Sequence, residues 1–480
     1  MTNPLHWFAA GMPHVWLPYT QMKTAGDPLP VAATRGSRIV LADGRELIDG
    51  IASWWTACHG YNHPHIAAAV RRQLEVMPHV MFGGLAHEPA LLLARRLAAL
   101  MPPGLDRVFF SDSGSVAVEV AMKMAVQYWR NKGVAGRTRF VAFNGGYHGD
   151  TTGAMAVSDP VDGMHHAFGG MLPRHLFCDL PRDEESLAQL TRLIERHADE
   201  IAGIIVEPLV QGAGGMIFHD VDVLVRLRAL ADRYGLLLIF DEIFTGFGRT
   251  GARLPLPQLR GRAGEGATPL APCLPQGPLP NPPAQAGKGT RPGGTQRPGA
   301  LQGYEEETGT LRGLFISEAV APDIVTLSKA LTGGTLPLAA TVARDSVFDA
   351  FWSDDPSDAL MHGPTFMANP LACAAANASL DLFEREPRLA QVAAIESALQ
   401  QGLAPCRGLP RVRDVRVRGA IGVVELERID DVYALRRRFV AEGVFVRPFG
   451  ATVYLTPAFT VAPDELARLT AAVVRVVGDL

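Results

Sequence analysis

Two residues in this chain stand where an amine and a carboxylate could act on one small molecule. Lys329 follows a short β-branched and apolar run, Ile324 to Leu327, and a Thr-Gly-Gly turn ending at Gly334 comes directly after it. A buried ammonium must find a partner or release its proton. A lysine delivered to the carboxyl end of a strand in an α/β sheet is therefore a candidate Schiff-base former, although lysines also end strands simply by reaching solvent. Asp241 stands at a second such place, where the run Leu236 to Phe240 leaves the core. A carboxylate there is either a solvated strand end or the charge partner of a cationic ring nitrogen.

Other residue types in the chain suit the same kind of ligand. Ser111-Asp-Ser113-Gly114-Ser115 follows the candidate strand Arg107 to Phe110 and opens an amphipathic helix through Val116, Val120, Met124 and Trp129. Small residues at a helix start leave backbone N–H groups and the positive end of the dipole free for a phosphate, and the same letters also make an ordinary N-cap. Tyr147, after the candidate strand Arg139 to Phe143, could lie flat on a planar ligand, and Glu207 ends the strand candidate Ile201 to Val206. Near the N-terminus Trp54 and Trp55 sit in a loop-rich, aromatic stretch suited to a pocket wall. Near the C-terminus Arg447 stands between two candidate strands as a fixed guanidinium, the natural bidentate partner of a carboxylate.

The elements that must position these groups follow from periodicity. Strand-like runs alternate with helical ones from His65 to about Val347, with further strand candidates at Gly235 to Phe240 and Ile324 to Leu327. This is the pattern of an α/β fold, a mainly parallel sheet covered by helices. Residues 65–345 are read as the large domain. Residues 1–64, with a hairpin at Arg38 to Asp49 turning on Asp43-Gly44, join a smaller α+β domain formed by residues 346–480. In that C-terminal part the strand candidates are Val412 to Val417, Ala420 to Glu425, Val444 to Pro448 and Thr452 to Leu455, with a helix from Val432 to Glu442. Gly246-Phe-Gly248-Arg-Thr-Gly251 matches a dinucleotide fingerprint by letters, but Pro255 follows and no helix can open there, so these glycines mark a closely packed loop. From 255 to 300, 20 of 46 residues are Pro or Gly and none is aromatic, a composition that predicts a disordered surface insertion reaching about residue 312.

Composition narrows the function class. The 480 residues are 48% hydrophobic and 20% charged with a net charge of -4. That gives no polybasic arm for nucleic acid or an anionic membrane. No apolar run reaches the length of a membrane span and the N-terminus lacks a basic segment followed by an apolar core, which predicts a cytoplasmic protein. The five cysteines, Cys58, Cys178, Cys273, Cys373 and Cys406, form no Cys-x-x-Cys pair, so neither a zinc site nor a disulfide framework is indicated and no metal is expected.

A phosphate cradle, an aromatic lid, a strand-end aspartate and a strand-end lysine on one parallel sheet are the parts needed to hold pyridoxal 5'-phosphate. The sequence also resembles the class III, fold-type I aminotransferases from about Val15 to the C-terminus, interrupted only by the Pro/Gly insertion. The motifs that carry the resemblance include Trp16-Leu-Pro-Tyr19-Thr20, Ser53-Trp54-Trp55, His59-Gly-Tyr-Asn-His-Pro64, the stretch Asp112 to Met124, Asp241 to Gly251, Lys329-Ala-Leu-Thr-Gly-Gly334, His362-Gly-Pro-Thr-Phe-Met367 and Val446-Arg-Pro-Phe-Gly450. The motif set is similar to that of the biotin-pathway members.

The resemblance implies that Lys329 and Tyr19 are the catalytic groups, that Asp241 pairs with the cofactor's ring nitrogen, that Gly114 and Ser115 hold its phosphate and that Tyr147 stacks on its ring. It implies that Pro364 and Thr365 complete the phosphate site from a second subunit of a homodimer. Trp54, Trp55, Tyr147 and Gly363 would line the substrate pocket, with Arg447 on the distal carboxylate of 8-amino-7-oxononanoate and S-adenosylmethionine as amino donor. Phe244 stands where the family usually has a small residue, and Ala319 where histidine is common. Two other readings remain open: an ω-aminotransferase for ornithine- or γ-aminobutyrate-like substrates, and a scaffold whose Pro/Gly segment is the working part.

Overall fold

Strand and helix alternate through the middle of the chain to build one seven-stranded sheet. The computed structural model describes residues 6–251 and 313–480; the Pro/Gly-rich stretch and Cys273 lie outside the described residues. Near the N-terminus, β1 (Val31–Arg35), β2 (Arg38–Leu41) and β3 (Glu46–Asp49) come first. The large sheet takes β4 (Leu105–Ser111), β5 (Arg139–Phe143), β6 (Leu176–Cys178) and β7 (Ile201–Val206). Two short strands, β8 (Val210–Gln211) and β9 (Ile217–Phe218), pair apart from it, and β10 (Leu237–Asp241), β11 (Ile324–Leu327) and β12 (Ala339–Arg344) complete it. Its order is β4-β12-β11-β10-β7-β5-β6.

Neighbours from β11 through β10, β7 and β5 to β6 are parallel, and β12 runs antiparallel to both β11 and β4. The carboxyl ends of β4, β5, β7, β10 and β11 therefore share one edge of the sheet, where ligands of such sheets bind. The strands are apolar because both faces are covered: every residue of β7, β10 and β11 is buried. The helix Gly114–Asn131 covers one face through Ala117, Val118, Val120, Ala121, Met124 and Ala125.

The strand candidates at 139–143, 201–206 and 324–327 match β5, β7 and β11. The candidate at 235–240 starts two residues late, because Gly235 has φ +61° and ends the preceding helix in a left-handed cap. Two strands of the sheet carry no sequence signal of their own. β6 is only three residues long, and β12, Ala-Ala-Thr-Val-Ala-Arg, is a small-residue run made into a strand by its neighbours on either side.

In the C-terminal part, β13 (Val412–Arg418) and β14 (Ile421–Leu426) form an antiparallel pair that β16 (Thr452–Leu455) extends. The strand expected at 444–448 is only β15 (Val444–Phe445), which joins β3 in parallel with Ile48 opposite Val444 and Asp49 opposite Phe445. The N-terminal hairpin and the C-terminal region thus share a sheet, and Arg447 lies beyond its strand in irregular backbone. The glycines of the rejected fingerprint pack against other backbone, as expected: Gly248 donates to Leu314 O at 2.9 Å, and Arg249 O accepts from Ala420 N–H at 3.0 Å.

Candidate active site

Strand β11 ends at Leu327, and the chain turns at once. Ser328 donates its hydroxyl to Leu338 O at 2.8 Å, while Lys329 takes φ +45°, a left-handed conformation that L-residues adopt at a cost. The turn closes on Gly333, which supplies another positive φ without strain. It aims Lys329 into a cavity of about 140 Å³ at the carboxyl edge of the sheet. Lys329 Nζ lies 5.0 Å from the centroid of the Trp55 ring. Burial in this cavity holds the ammonium below the usual lysine range, against the opposing pull of Asp241, Glu207 and Asp150.

Asp241 ends the adjacent strand and is 3% exposed. Its Oδ1 accepts from the Ile243 N–H at 3.1 Å and the Thr326 hydroxyl at 3.2 Å, and its Oδ2 lies 2.7 Å from His148 Nδ1. His148 is buried, which by itself would lower its pKa; the hydrogen bond and charge of Asp241, with Glu207 behind them, outweigh burial and raise it. The same hydrogen bond orients the aspartate toward the cavity that both line. Glu207, just past β7, accepts from Tyr147 N–H at 2.8 Å and from Gly212 N–H at 2.9 Å, tying two strand-end loops together. Its burial pushes the carboxyl up to about 7.

The helix Gly114–Asn131 starts at the same edge, capped by Ser113, whose hydroxyl accepts from Val116 N–H. A Cβ on Gly114 would meet the Ile243 side chain at 3.0 Å, so a larger residue would crowd the first turn that glycine leaves open. Ser115 Oγ accepts from Asp150 N–H at 3.0 Å, and at Gly149 the backbone passes so close to Ser115 that a side chain there would overlap it. Tyr147 stacks on His165 with ring centroids 5.8 Å apart, and its hydroxyl donates to Asp150 Oδ1 at 2.8 Å. Tyr19 donates to the other oxygen of Asp150, and its hydroxyl lies 3.3 Å from that of Tyr147. Burial, with the Asp150 hydrogen bond, pushes the Tyr19 phenol up to about 12.

Beyond Trp55 the mouth of the site is aromatic and cationic. The Trp55 ring packs 4.3 Å from the Phe244 ring. The Arg447 guanidinium sits 4.9 Å over the Trp54 ring, which meets Tyr19 edge-on at 6.2 Å. Burial lowers the pKa of Arg447, and among the described residues no carboxylate pairs with it.

One cavity thus gathers Lys329, Asp241, Gly114, Ser115, Tyr147 and Trp55. Tyr19 joins it through Tyr147 and Asp150, while Trp54 and Arg447 form an adjoining pair. Gly363, Pro364 and Thr365 do not line it; their loop is held on the helix Gly114–Asn131, where Lys123 Nζ donates to Met361 O at 2.9 Å. Glu207, visible from sequence as a strand-end carboxylate, carries much of the electrostatics together with His148 and Asp150, which sequence reasoning misses. Their one signal is position, since each follows a strand end.

A model of the class III aminotransferase family matches residues 21–258 and 307–477. The chain is 41% identical to the adenosylmethionine-8-amino-7-oxononanoate aminotransferase of Mycobacterium leprae, over 97% of this chain and 95% of that protein. It is 38% identical to the protein of the same name from Buchnera aphidicola of Acyrthosiphon pisum, over 95% and 94%. The crystal structure of adenosylmethionine-8-amino-7-oxononanoate aminotransferase from Methanocaldococcus jannaschii superposes with a TM-score of 0.82 at 28% identity, covering 98% of each chain.

Proposed function

The chain belongs to the class III aminotransferases, and from that premise we propose that it transfers the amino group of S-adenosylmethionine to 8-amino-7-oxononanoate, forming 7,8-diaminononanoate in biotin biosynthesis. The enzyme is pyridoxal phosphate-dependent, as its family is. When bound, pyridoxal phosphate supplies an electron sink and a carrier for the amino group. The donor set fits that group: a desolvated amine, a carboxylate held by a histidine, an aromatic face and an open helix start surround one cavity. Lys329 would hold its aldehyde carbon, Asp241 its ring nitrogen, Tyr147 its face, and Gly114 with Ser115 its phosphate.

The chain's own groups divide the remaining work. Lys329 Nζ, held below its usual range by desolvation, gives and takes a proton nearer neutrality than a solvated lysine can. His148 holds Asp241 in orientation, and Trp55 and Phe244 exclude water on the substrate side. Glu207 fixes the loop that presents Tyr147. The observation that carries the substrate reading is Arg447: a half-buried guanidinium with no carboxylate partner among the described residues, stacked on Trp54 beside the Lys329 cavity. It suits the far carboxylate of an oxononanoate.

Three further readings belong with this one. The chain acts as a homodimer, with Gly363, Pro364 and Thr365 reaching a partner's site; their absence from their own chain's cavity supports this. The pairing of β3 with β15 supports counting 1–64 and 346–480 as one small domain beside 65–345. The enzyme works in the cytoplasm, a reading supported by the composition; among the described residues no helix is long and apolar enough to cross a membrane.

A coupled assay tests the function. Diaminononanoate should form from oxononanoate with S-adenosylmethionine as donor. Its absence with both S-adenosylmethionine and lysine, alongside turnover of ornithine- or γ-aminobutyrate-like amines, would overturn the reading.

A further inference from the structure

The two pocket tryptophans sit on an unusual stretch of backbone. Ala52, Ser53, Trp54 and Trp55 have φ of +46°, +48°, +53° and +74°, four consecutive left-handed residues without a glycine among them. Such a run is costly for L-residues and persists only where its surroundings over-determine it. The segment from Asp49 to Tyr61 contains what holds it.

Asp49 ends β3 and is 2% exposed. Its Oδ1 accepts from Ile51 N–H at 2.8 Å, and its Oδ2 accepts from Ser53 N–H at 2.9 Å and from the Tyr61 hydroxyl at 2.5 Å. The Tyr61 hydroxyl also lies 2.6 Å from Ser53 Oγ. The carboxylate is itself anchored: Asp49 N–H donates to Ser37 O at 2.8 Å, and the next residue, Gly50, donates to Phe445 O at 2.9 Å. Phe445 precedes Arg447 by two residues, so the pair Asp49-Gly50 meets the strained turn through the Asp49 carboxylate and the backbone that carries the arginine through the Gly50 N–H.

The turn sends two consecutive indoles to opposite ends of the site. Trp55 faces the Lys329 ammonium at 5.0 Å and Trp54 the Arg447 guanidinium at 4.9 Å. We infer that Asp49, with Tyr61, is a positioning clamp whose hydrogen bonds to the left-handed turn set the spacing between the amine end and the carboxylate end of the pocket, and with it the substrate length accepted. The inference rests on the substrate reading above, in which Arg447 receives a carboxylate.

The test uses the full-length holoenzyme with Asp49→Asn, which keeps the shape but offers only one acceptor oxygen, and with Tyr61→Phe, which removes one hydroxyl. Two quantities are read: kcat and KM for 8-amino-7-oxononanoate, and the affinity for nonanoate measured by tryptophan fluorescence. Asp49→Asn should raise both KM and the nonanoate Kd by about tenfold, the worth of one or two hydrogen bonds, with kcat within about threefold and the cofactor absorbance retained. Tyr61→Phe should move both in the same direction by about threefold. In a Trp54→Ala background Asp49→Asn should add less than about twofold, since it acts through that ring. A loss confined to kcat, or KM and Kd unchanged in Tyr61→Phe, overturns the clamp, and Tyr61→Phe decides alone if the Asp49 variant does not fold. If the unaltered enzyme fails to aminate oxononanoate, the substrate reading falls, while weaker nonanoate binding in the variants still supports the clamp.

Discussion

The two ends of the pocket are built by different means. At the lysine end each functional side chain follows a strand of one sheet: Asp241 on β10, Lys329 after β11, Glu207 after β7 and Tyr147 after β5. Parallel ladders fix the register, with Asp241 opposite Thr326, Asp241 and Glu207 are buried, and hydrogen bonds tie Asp241 to Thr326 and Glu207 to the Tyr147 backbone. At the arginine end, Trp54 stands 38% exposed on a left-handed turn, and Arg447 lies in irregular backbone after a two-residue strand. There a few side-chain hydrogen bonds replace the ladder. The difference implies a division of labour: the stiff end determines which reaction occurs, and the strained end determines which molecule undergoes it. Substitutions at the first should remove turnover and those at the second should shift substrate affinity.

The largest effect expected is that of Lys329→Ala, which removes the amine and the proton carrier together. Turnover should fall by about 10⁴-fold or more, measured as the amino-transfer half-reaction with S-adenosylmethionine. Substantial residual rate would break the comparison, because chemistry would then not reside at the strand end. Asp241→Asn comes next, since it removes the charge that His148 holds in place. We expect a fall in kcat of about 10² to 10³-fold with little change in KM for the keto acid. At the opposite end, Arg447→Ala should lower kcat/KM for oxononanoate by about a hundredfold through KM, whereas amines without a carboxylate should react at an unchanged rate. An equal loss for both kinds of substrate would merge the two ends into one.

The smallest effect concerns pH and Glu207. Burial lifts this carboxyl from its ordinary 4.5 to about 7, so the folded protein binds the proton more tightly than the unfolded chain does. The resulting stabilisation is complete below the unfolded pKa and is lost as the pH rises through the folded value. Glu207→Gln abolishes that dependence. The Tm of the variant relative to the unaltered protein should rise by a few degrees between about pH 5 and pH 8, whatever constant offset the lost backbone hydrogen bond brings. A flat difference across that range would place the Glu207 carboxylate in a better-solvated setting than its neighbours indicate.

The same division governs what the sequence discloses. Lys329 and Asp241 are legible because a buried parallel strand has a continuous apolar signature, and a charged residue ending it stands out. β12 is silent, since Ala339 to Arg344 becomes a strand only between β11 and β4. His148 is silent too, as nothing local distinguishes a histidine paired with an aspartate 93 positions away from one in a plain core. The left-handed turn at Ala52 to Trp55 runs against local preference, with no glycine to announce it. Asp49 and Tyr61 hold it through side-chain hydrogen bonds, and although both lie close by in the chain, nothing in the residue pattern announces those bonds. Arg447 is visible as an arginine, but its lack of a carboxylate partner among the described residues is a property of the folded site.

The most direct test of the account is to reduce the purified holoenzyme with borohydride, digest it and map the cofactor-bearing peptide. The account predicts one modified residue, Lys329, within the peptide that follows Ile324 to Leu327, and no modification in Lys329→Ala. Cofactor fixed to any other lysine, or a protein that carries none, would contradict it.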